Sequence, residues 1–544
     1  MPFVKVNGTH TLECASGLNL MTLLVRSGYE LNNACGGRGV CGKCKVRIPN
    51  TSESEFSKTE KMFLTPEEQR QGIRLACMVR VRQDLEVETL SREKEYAVLA
   101  EGHLPEWAAE QSKDPAKSGE YGIAADIGTT TVVCRLIHLE TGKTTDTAAS
   151  VNDQKKFGLD VLSRISYEQD HPEFGRKELQ DSIVGNLNRL IEEMCRRQEL
   201  SPESIRRIAI SGNCTMVHML LGADAVPLGK APFLPVLKGA QRCFAGEIGL
   251  KPEGAELYCI PAVSAYIGGD IVAGAYICGL KKLPGNVLFV DIGTNGEIVL
   301  ARDGEMNSCS CAAGPALEGM NIQQGMRGET GAIEDVEIRP DGIHLKVIGG
   351  GPAEGICGSG ILAGIKELLR CGVLRKSGAF VHPDRLPEGD ERKEYLQVNP
   401  EDGTRSVRLQ ENPVLVNITQ KDIRQVQLAK GAIRSGIEIL LENNGLDPSM
   451  LDEVMIAGQF GSHLLPEDLT GVGILPEEVR DRIHYVGNTA LTGAVAALLS
   501  EGVRKEMEAL ADEIGYTELG ETPEYEYRLA EWLEFPNADF TKFV

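Results

Sequence analysis

Three cysteines crowd into CGGRGVCGKC, at Cys35, Cys41 and Cys44, and a fourth, Cys77, follows in RLACMVRV. Four thiolates within reach of one another bind zinc or an iron–sulfur cluster. Structural zinc sites usually pair two C-x2-C knuckles, whereas here three sulfurs share one loop and the fourth comes from a distant segment. That three-plus-one arrangement favours a [2Fe–2S] cluster over zinc or simple thiols. Gly36, Gly37, Gly39 and Gly42 let such a loop wrap its cargo and turn N–H groups toward the sulfurs. The basic residues Arg38, Lys43, Lys45, Arg47, Arg74, Arg80 and Arg82 surround these cysteines. They suit an anionic cluster and an exit surface for an acidic acceptor, or else are ordinary solvated charge.

A second chemistry is written in a turn that occurs twice, D-I-G-T at Asp126–Thr129 and at Asp291–Thr294. Glycine in such a turn (Gly128, Gly293) lets main-chain N–H groups face a phosphate. Thr129, Thr130, Thr294 and Asn295 add side-chain donors. The carboxylates Asp126 and Asp291 are suited instead to Mg²⁺, usually through water, because Mg²⁺ keeps part of its hydration shell. Two such turns facing one another across a cleft would clamp a triphosphate, which predicts ATP and Mg²⁺ as ligands. GGGPAEGICGSG, with Gly350 and Gly351, is a further glycine-rich loop opening a helix, and is expected either to approach the nucleotide or to be a plain helix entry.

The elements that must position these groups fall into two sets. Residues 1–90 predict a compact β-rich module: a hairpin about Asn7-Gly8, a helix over LNLMTLLVRSG, a short strand KVRI, a polar helix near 57–70 and a strand LEVETL. Residues 91–120 read as a charged, partly helical, mobile linker, or else as a helix packed on the next domain. An internal repeat follows. IAADIGTTTVVCRLIHL matches LFVDIGTNGEIVLA, RRIAISGNCTMVHML matches DEVMIAGQFGSHL, and LYCIPAVSAYIGGDIVAGAY matches IHYVGNTALTGAVAALL. Two similar α/β halves are expected at 121–284 and 285–500, with a C-terminal extension over 501–544. The Gly/Ala-rich helices should sit where the halves meet. Cys14, Cys134, Cys195, Cys214, Cys243, Cys259, Cys278 and Cys371 are scattered and read as core filling. Cys309, Cys311 and Cys357 lie near the nucleotide loops without a second pair at metal-site spacing.

Composition narrows the function classes. The formal net charge of −22 argues against nucleic acid as a partner. Residues 1–90 hold 12 Lys/Arg and 10 Asp/Glu, so the acidity belongs to the rest of the chain. There is no apolar run long enough for a membrane helix, and the start lacks the apolar core of a signal peptide. A cytoplasmic protein is expected, its 15 cysteines serving as thiols or ligands rather than disulfides.

The first 90 residues resemble the ferredoxins, closest to the C-x5-C-x2-C spacing, which implies a β-grasp α+β domain with Cys35, Cys41, Cys44 and Cys77 as cluster ligands. Residues 121–500 resemble the actin, sugar kinase and heat-shock-chaperone ATPase superfamily, which implies a duplicated, ribonuclease H-like α/β fold. There the D-I-G-T hairpins are the two phosphate motifs. A strand-Gly-x-x-Gly turn contacts adenosine; IAGQFG, with Gly458 and Gly461, matches it best, although Gln459 stands where glycine is common.

An electron needs help to move uphill: about 2.3 kcal/mol for each 100 mV. A cluster near about −400 mV joined to an ATPase suits a still lower-potential acceptor. The combination resembles the reductive activators of corrinoid proteins, on the four cysteines, both D-I-G-T hairpins, SCAAGPALEG and IAGQFG. That resemblance implies ATP-driven transfer of one electron from the cluster to Co(II) of a corrinoid protein in a methyltransferase system, regenerating Co(I). It also implies an upstream low-potential electron donor and leaves a homodimer open; some members carry an extra small domain where this chain has only its linker. The alternatives are an activator of another low-potential metalloenzyme and a redox-regulated kinase or ATPase.

Overall fold

The computed structural model describes residues 1–27, 29, 31, 39, 42, 44–49, 56–90, 105–109, 113–339, 341–390, 392–400, 402–458 and 464–536. The chain folds as two compact units, Met1–Tyr96 with Asp153–Ser182, and Ala97–Asn152 with Ile183–Val544.

In the N-terminal unit a five-stranded mixed sheet has the order His10–Glu13, Phe3–Val6, Leu85–Thr89, Lys45–Arg47, Ile73–Leu75. Its first and last long strands run parallel, Val4 beside Leu85 and Val6 beside Val87. Asn7 and Gly8 make the first hairpin with φ of 51° and 72°, a backbone that asparagine and glycine tolerate best. Alternation puts Val4, Val6, Val46, Leu75 and Val87 on one buried face, against Leu20 and Leu24 of the helix Leu20–Arg26. This is the β-grasp arrangement of ferredoxins. The polar helix expected near 57–70 is two helices, Lys58–Phe63 and Pro66–Arg70. Each has its own capping box, Ser57 with Glu60 and Thr65 with Glu68, and Pro66 at the start of the second cannot continue the first.

The second unit is built on two six-stranded sheets. One has the order Lys143–Val151, Thr131–His138, Tyr121–Ile127, Ile205–Gly212, Glu256–Cys259, Gln241–Phe244. The other runs Ile483–Gly487, Glu453–Ala457, Asn286–Ile292, Gly296–Arg302, Glu305–Cys311, Gly515–Tyr516. Three antiparallel strands followed by two parallel ones recur in both, so the sequence repeat is a repeat of topology, with the D-I-G-T turns at equivalent hairpins. The Gly/Ala-rich helices Gly269–Ile277 and Thr489–Leu499 pack on each other so closely that a Cβ on Gly493 would lie 2.5 Å from Ala273 Cβ. Among the described residues no helix is long and apolar enough to cross a membrane.

The described residues of the linker and of the C-terminal extension are both packed in the second unit. Within the linker, Trp107 of the short helix Glu106–Ala109 meets Tyr276 edge-on at 5.2 Å and lies under Lys282 Nζ at 4.3 Å. Farther on, Asp114 pairs with Arg504, and its N–H donates to Leu499 O at 2.8 Å. Charged side chains and one aromatic thus tie the described linker residues down. The C-terminal stretch is equally integral: the helix Glu501–Glu513 buries Val503, Met507 and Leu510, and Gly515–Tyr516 extends the second sheet.

Lys430 offers a test of that C-terminal packing. It lies in the helix Gln420–Asn443, is 1% exposed, donates to Glu534 O and sits over the Phe535 ring. Burial, with Arg434 adding to it, pushes its ammonium down to about 7, against the pull of Glu534. The unfolded chain therefore binds the extra proton between about pH 7 and the ordinary lysine value, and stability must rise with pH across that window. Urea unfolding should show wild type gaining about 2 kcal/mol relative to Lys430→Met between pH 7 and pH 9. Parallel curves for the two proteins would mean that Lys430 is not held neutral.

Candidate functional site

Both halves of the second unit deliver carboxylates to one cleft. Its lining includes Asp126, Gly128, Thr129 and Thr130 from the first turn, Asp291, Gly293, Thr294 and Asn295 from the second, and Gly458. Those nine of the expected nucleotide residues are brought together. Gly458 has φ of +92°, and a Cβ there would come 2.5 Å from Asp291 Oδ1, so the close approach requires glycine. Gly461 lies outside the described residues.

Two expectations need correction. Gly350 and Gly351 are not in the cleft lining. With Gly349 they take positive φ (78°, 72° and 90°) in an exposed turn that follows the strand Gly342–Val347, well before the helix that starts at Gly358. Of the turn N–H groups expected to face a phosphate, those of the two glycines themselves are used within the turns. Gly128 N–H donates to Thr131 O and Gly293 N–H to Asn295 O, both at 2.9 Å. The glycine at 128 serves the fold, since a Cβ would lie 2.9 Å from Thr131 O.

The lining adds residues that motif reading passed over: Asp270, Glu297, Glu318, Asn213 and Asn488. Asn488 caps the helix Thr489–Leu499 with its oxygen and donates its amide N–H to Asp126 Oδ2 at 3.0 Å. Asn213 caps Cys214–Leu221 in the same way and donates to Thr129 Oγ1 at 3.1 Å. Asparagine suits this double duty, having an acceptor and a donor on one short side chain. The signal was present in the repeat, as the Gly-Asn pairs of ISGNCT and YVGNTA.

Among the described residues five carboxylates line this cleft, and none of the lining residues is Lys, Arg or His. Burial pushes Asp126 up to about 6 and, with the charge of Asp126 adding, Asp291 up to about 7. Burial followed by Asp291 and Asp126 raises Asp270 to about 7, and burial with Asp270 and Asp291 raises Glu297 well above the usual range. Such a donor set suits a hydrated divalent cation: a cation relieves the mutual repulsion, and an unaccompanied polyphosphate would meet only like charge. Among the described residues no three acidic, histidine or cysteine side chains are grouped closely enough to hold a metal ion by themselves.

In the N-terminal unit, the pairing of Lys45–Arg47 with Ile73–Leu75 brings Cys77 beside Cys44: Ala76 N–H donates to Cys44 O at 2.8 Å. Both are buried thiols, 2% and 8% exposed, in no disulfide. Gly42 takes φ of +67° with Phe63 against it, where a Cβ would come 2.8 Å from the ring. Two buried thiols on hydrogen-bonded segments, one of them after a positive-φ glycine, fit the [2Fe–2S] assignment. Cys35 and Cys41 lie outside the described residues, as do Arg38, Lys43, Gly36 and Gly37. The expected basic exit surface is reduced. Arg74 is buried in an ion pair with Glu60 at 2.8 Å, Lys45 pairs with Glu68 and Arg47 with Glu88, leaving Arg80 and Arg82 exposed.

Comparison with known proteins agrees with this division. Residues 4–82 match the family model of the 2Fe-2S iron-sulfur cluster binding domain, residues 121–283 the RACo middle region, and residues 285–544 the C-terminal domain of RACo, the ASKHA domain. A solved structure, "Reductive activator for corrinoid,iron-sulfur protein", is 29% identical with a TM-score of 0.69 and covers 98% of both chains. The corrinoid activation enzyme RamQ of Eubacterium limosum is 36% identical over 386 residues, 70% of this chain and 64% of RamQ. The [Co(II) methylated amine-specific corrinoid protein] reductase of Methanosarcina barkeri is 26% identical over 70% of each chain. Matched in all three of its parts, the chain belongs to the RACo family, a ferredoxin-like [2Fe–2S] domain joined to an ASKHA-type domain.

Proposed function

We propose that this protein is an ATP-dependent reductive activator that passes one electron to Co(II) of a corrinoid protein, returning it to the Co(I) state used in methyl transfer. The observation that carries the proposal is the presence, in one chain, of a ferredoxin-type thiol site and a two-turn carboxylate cleft, in a protein similar end to end to a reductive activator for a corrinoid protein.

The cluster, when bound, supplies a one-electron carrier. Cys35, Cys41, Cys44 and Cys77 would hold it; Arg80 and Arg82 add positive potential near the Cys77 end. In the cleft, Asp126 and Asp291 orient Mg²⁺ and the attacking water. Thr129, Thr130, Thr294 and Asn295 present hydroxyl and amide donors to the phosphates, and Gly458 leaves room beside Asp291. Asn488 fixes the Asp126 carboxylate from the opposite half, so closing the halves on nucleotide and aligning Asp126 are one movement. Asp270 and Glu297 add negative charge to the same cleft and would favour a bound divalent cation. Nucleotide binding thereby changes the relation of two rigid sheets, and a conformational change with different affinity for the Co(II) and Co(I) partner is what drives an uphill transfer. A low-potential donor must reload the chain after each electron. A cytoplasmic setting suits its thiols, and a homodimer is measurable by light scattering.

The test mixes the reduced, cluster-loaded protein with a Co(II) corrinoid protein of a methyltransferase system, without oxygen, with and without MgATP. The Co(I) absorption band should grow only with MgATP. No band with either, or phosphorylation of a small substrate instead, would refute the assignment.

A further inference from the structure

Glu318 makes contacts that the two turn aspartates do not explain. It ends the short turn Pro315–Glu318 in SCAAGPALEG, just after the strand Glu305–Cys311. Its carboxylate is only 7% exposed and accepts from a hydroxyl of each acidic turn. Thr294 Oγ1 donates to Oε1 at 2.7 Å, and Thr130 Oγ1 faces Oε2 at 3.5 Å. The position is built rather than incidental. Gly314 N–H donates to Thr294 O at 2.9 Å, and Gly319 closes the turn where a Cβ would lie 2.1 Å from Met326 O.

Thr130 and Thr294 are the hydroxyls a phosphate between the turns would use. Two carboxylate oxygens bonded to two hydroxyls imitate two oxygens of a phosphate, with one negative charge. A phosphate and Glu318 cannot hold the same donors; Arg327 favours the Glu318 carboxylate, but no basic side chain is among the described lining residues, so the two negative charges oppose each other there.

We propose that Glu318 is an affinity-determining residue of the nucleotide cleft: it engages the hydroxyls of both turns, and an incoming Mg²⁺-bound polyphosphate must displace it from them. It thereby weakens the hold on nucleotide, favours the Mg²⁺ complex over the free anion, and speeds release of product. The proposal rests on the nucleotide assignment above and adds to it a competitor whose removal tightens binding.

The experiment measures calorimetric binding of a non-hydrolysable ATP analogue with Mg²⁺, of MgADP and of adenosine to full-length wild type, Glu318→Gln and Glu318→Asp. Glu318→Gln should bind the ATP analogue about tenfold tighter, as expected for one like charge removed, with a smaller gain for MgADP and none for adenosine. Glu318→Asp keeps the charge but lacks the reach to span both hydroxyls, and should tighten by about threefold. A merely structural role would weaken all three ligands together. Unchanged or weaker binding of the analogue in a folded variant overturns the proposal, as does equal tightening for adenosine. If wild type binds none of the three, the nucleotide assignment itself falls.

Discussion

Asp126→Asn and Asp291→Asn are each expected to abolish ATP-dependent Co(I) formation, by about a hundredfold or more, while the visible spectrum of the cluster stays as in wild type. The two effects separate because the cysteines and the aspartates lie in different units of the chain. The variants should also fold. Asparagine keeps an oxygen that can accept the Asn488 amide now bonded to Asp126 Oδ2 at 3.0 Å. Removing a charge from a crowd of buried carboxylates relieves repulsion rather than creating it. Burial already pushes Asp126 to about 6 and Asp291 to about 7, which means that the protein tolerates the neutral form better than the charged one. Folding stability is thus expected to hold or to rise in both variants, measured by thermal melting without nucleotide, while activity collapses. That pattern is the mark of charge retained for function rather than for fold. Full corrinoid reduction by either variant would show that ATP is not coupled through these turns.

Cys77→Ala should remove the cluster and with it all Co(I) formation. Cys77 comes from a one-turn segment after the strand Ile73–Leu75, and no other cysteine lies near it in sequence to take its place. A thiolate is the ligand iron requires, and alanine supplies none. Visible absorbance after anaerobic reconstitution is expected to fall to about a tenth of wild type or less. Nucleotide binding should be retained, because Cys77 belongs to the hydrophobic core of the ferredoxin-like domain alone. Cys371→Ala is the control: its thiol is buried in the second unit, and the cluster spectrum should not change. A normal spectrum in Cys77→Ala would exclude Cys77 as a ligand.

The paired motifs were legible because each is local. D-I-G-T specifies a tight turn between two strands within a dozen residues, and its second copy announces a duplicated fold. Likewise the crowded cysteines and their glycines declare a cluster loop without any tertiary information. The Asn7-Gly8 hairpin and the Gly/Ala-rich helices are equally local, since backbone conformation and side-chain size act over a few residues.

What only the tertiary structure decided are relations between residues far apart in the chain. Two carboxylates, Asp270 and Glu318, enter the cleft from a helix start and a turn that lie outside the D-I-G-T hairpins, and Glu297 joins them from the strand after the second turn. Asn488 reaches Asp126 across 362 positions, and Glu318 meets Thr130 across 188. Pairing of distant segments also decided which charges are spent: Arg74 is basic in the sequence yet buried against Glu60 in the fold. It also placed Gly350 and Gly351 outside the cleft lining, in an exposed positive-φ turn between the strands Gly342–Val347 and Gly355–Ile356. The sequence by itself thus determined the two chemistries, cluster loop and phosphate turns, because short-range backbone preferences encode them. The fold decided which acidic groups share one desolvated cleft, because burial and Coulomb repulsion depend on distance through space.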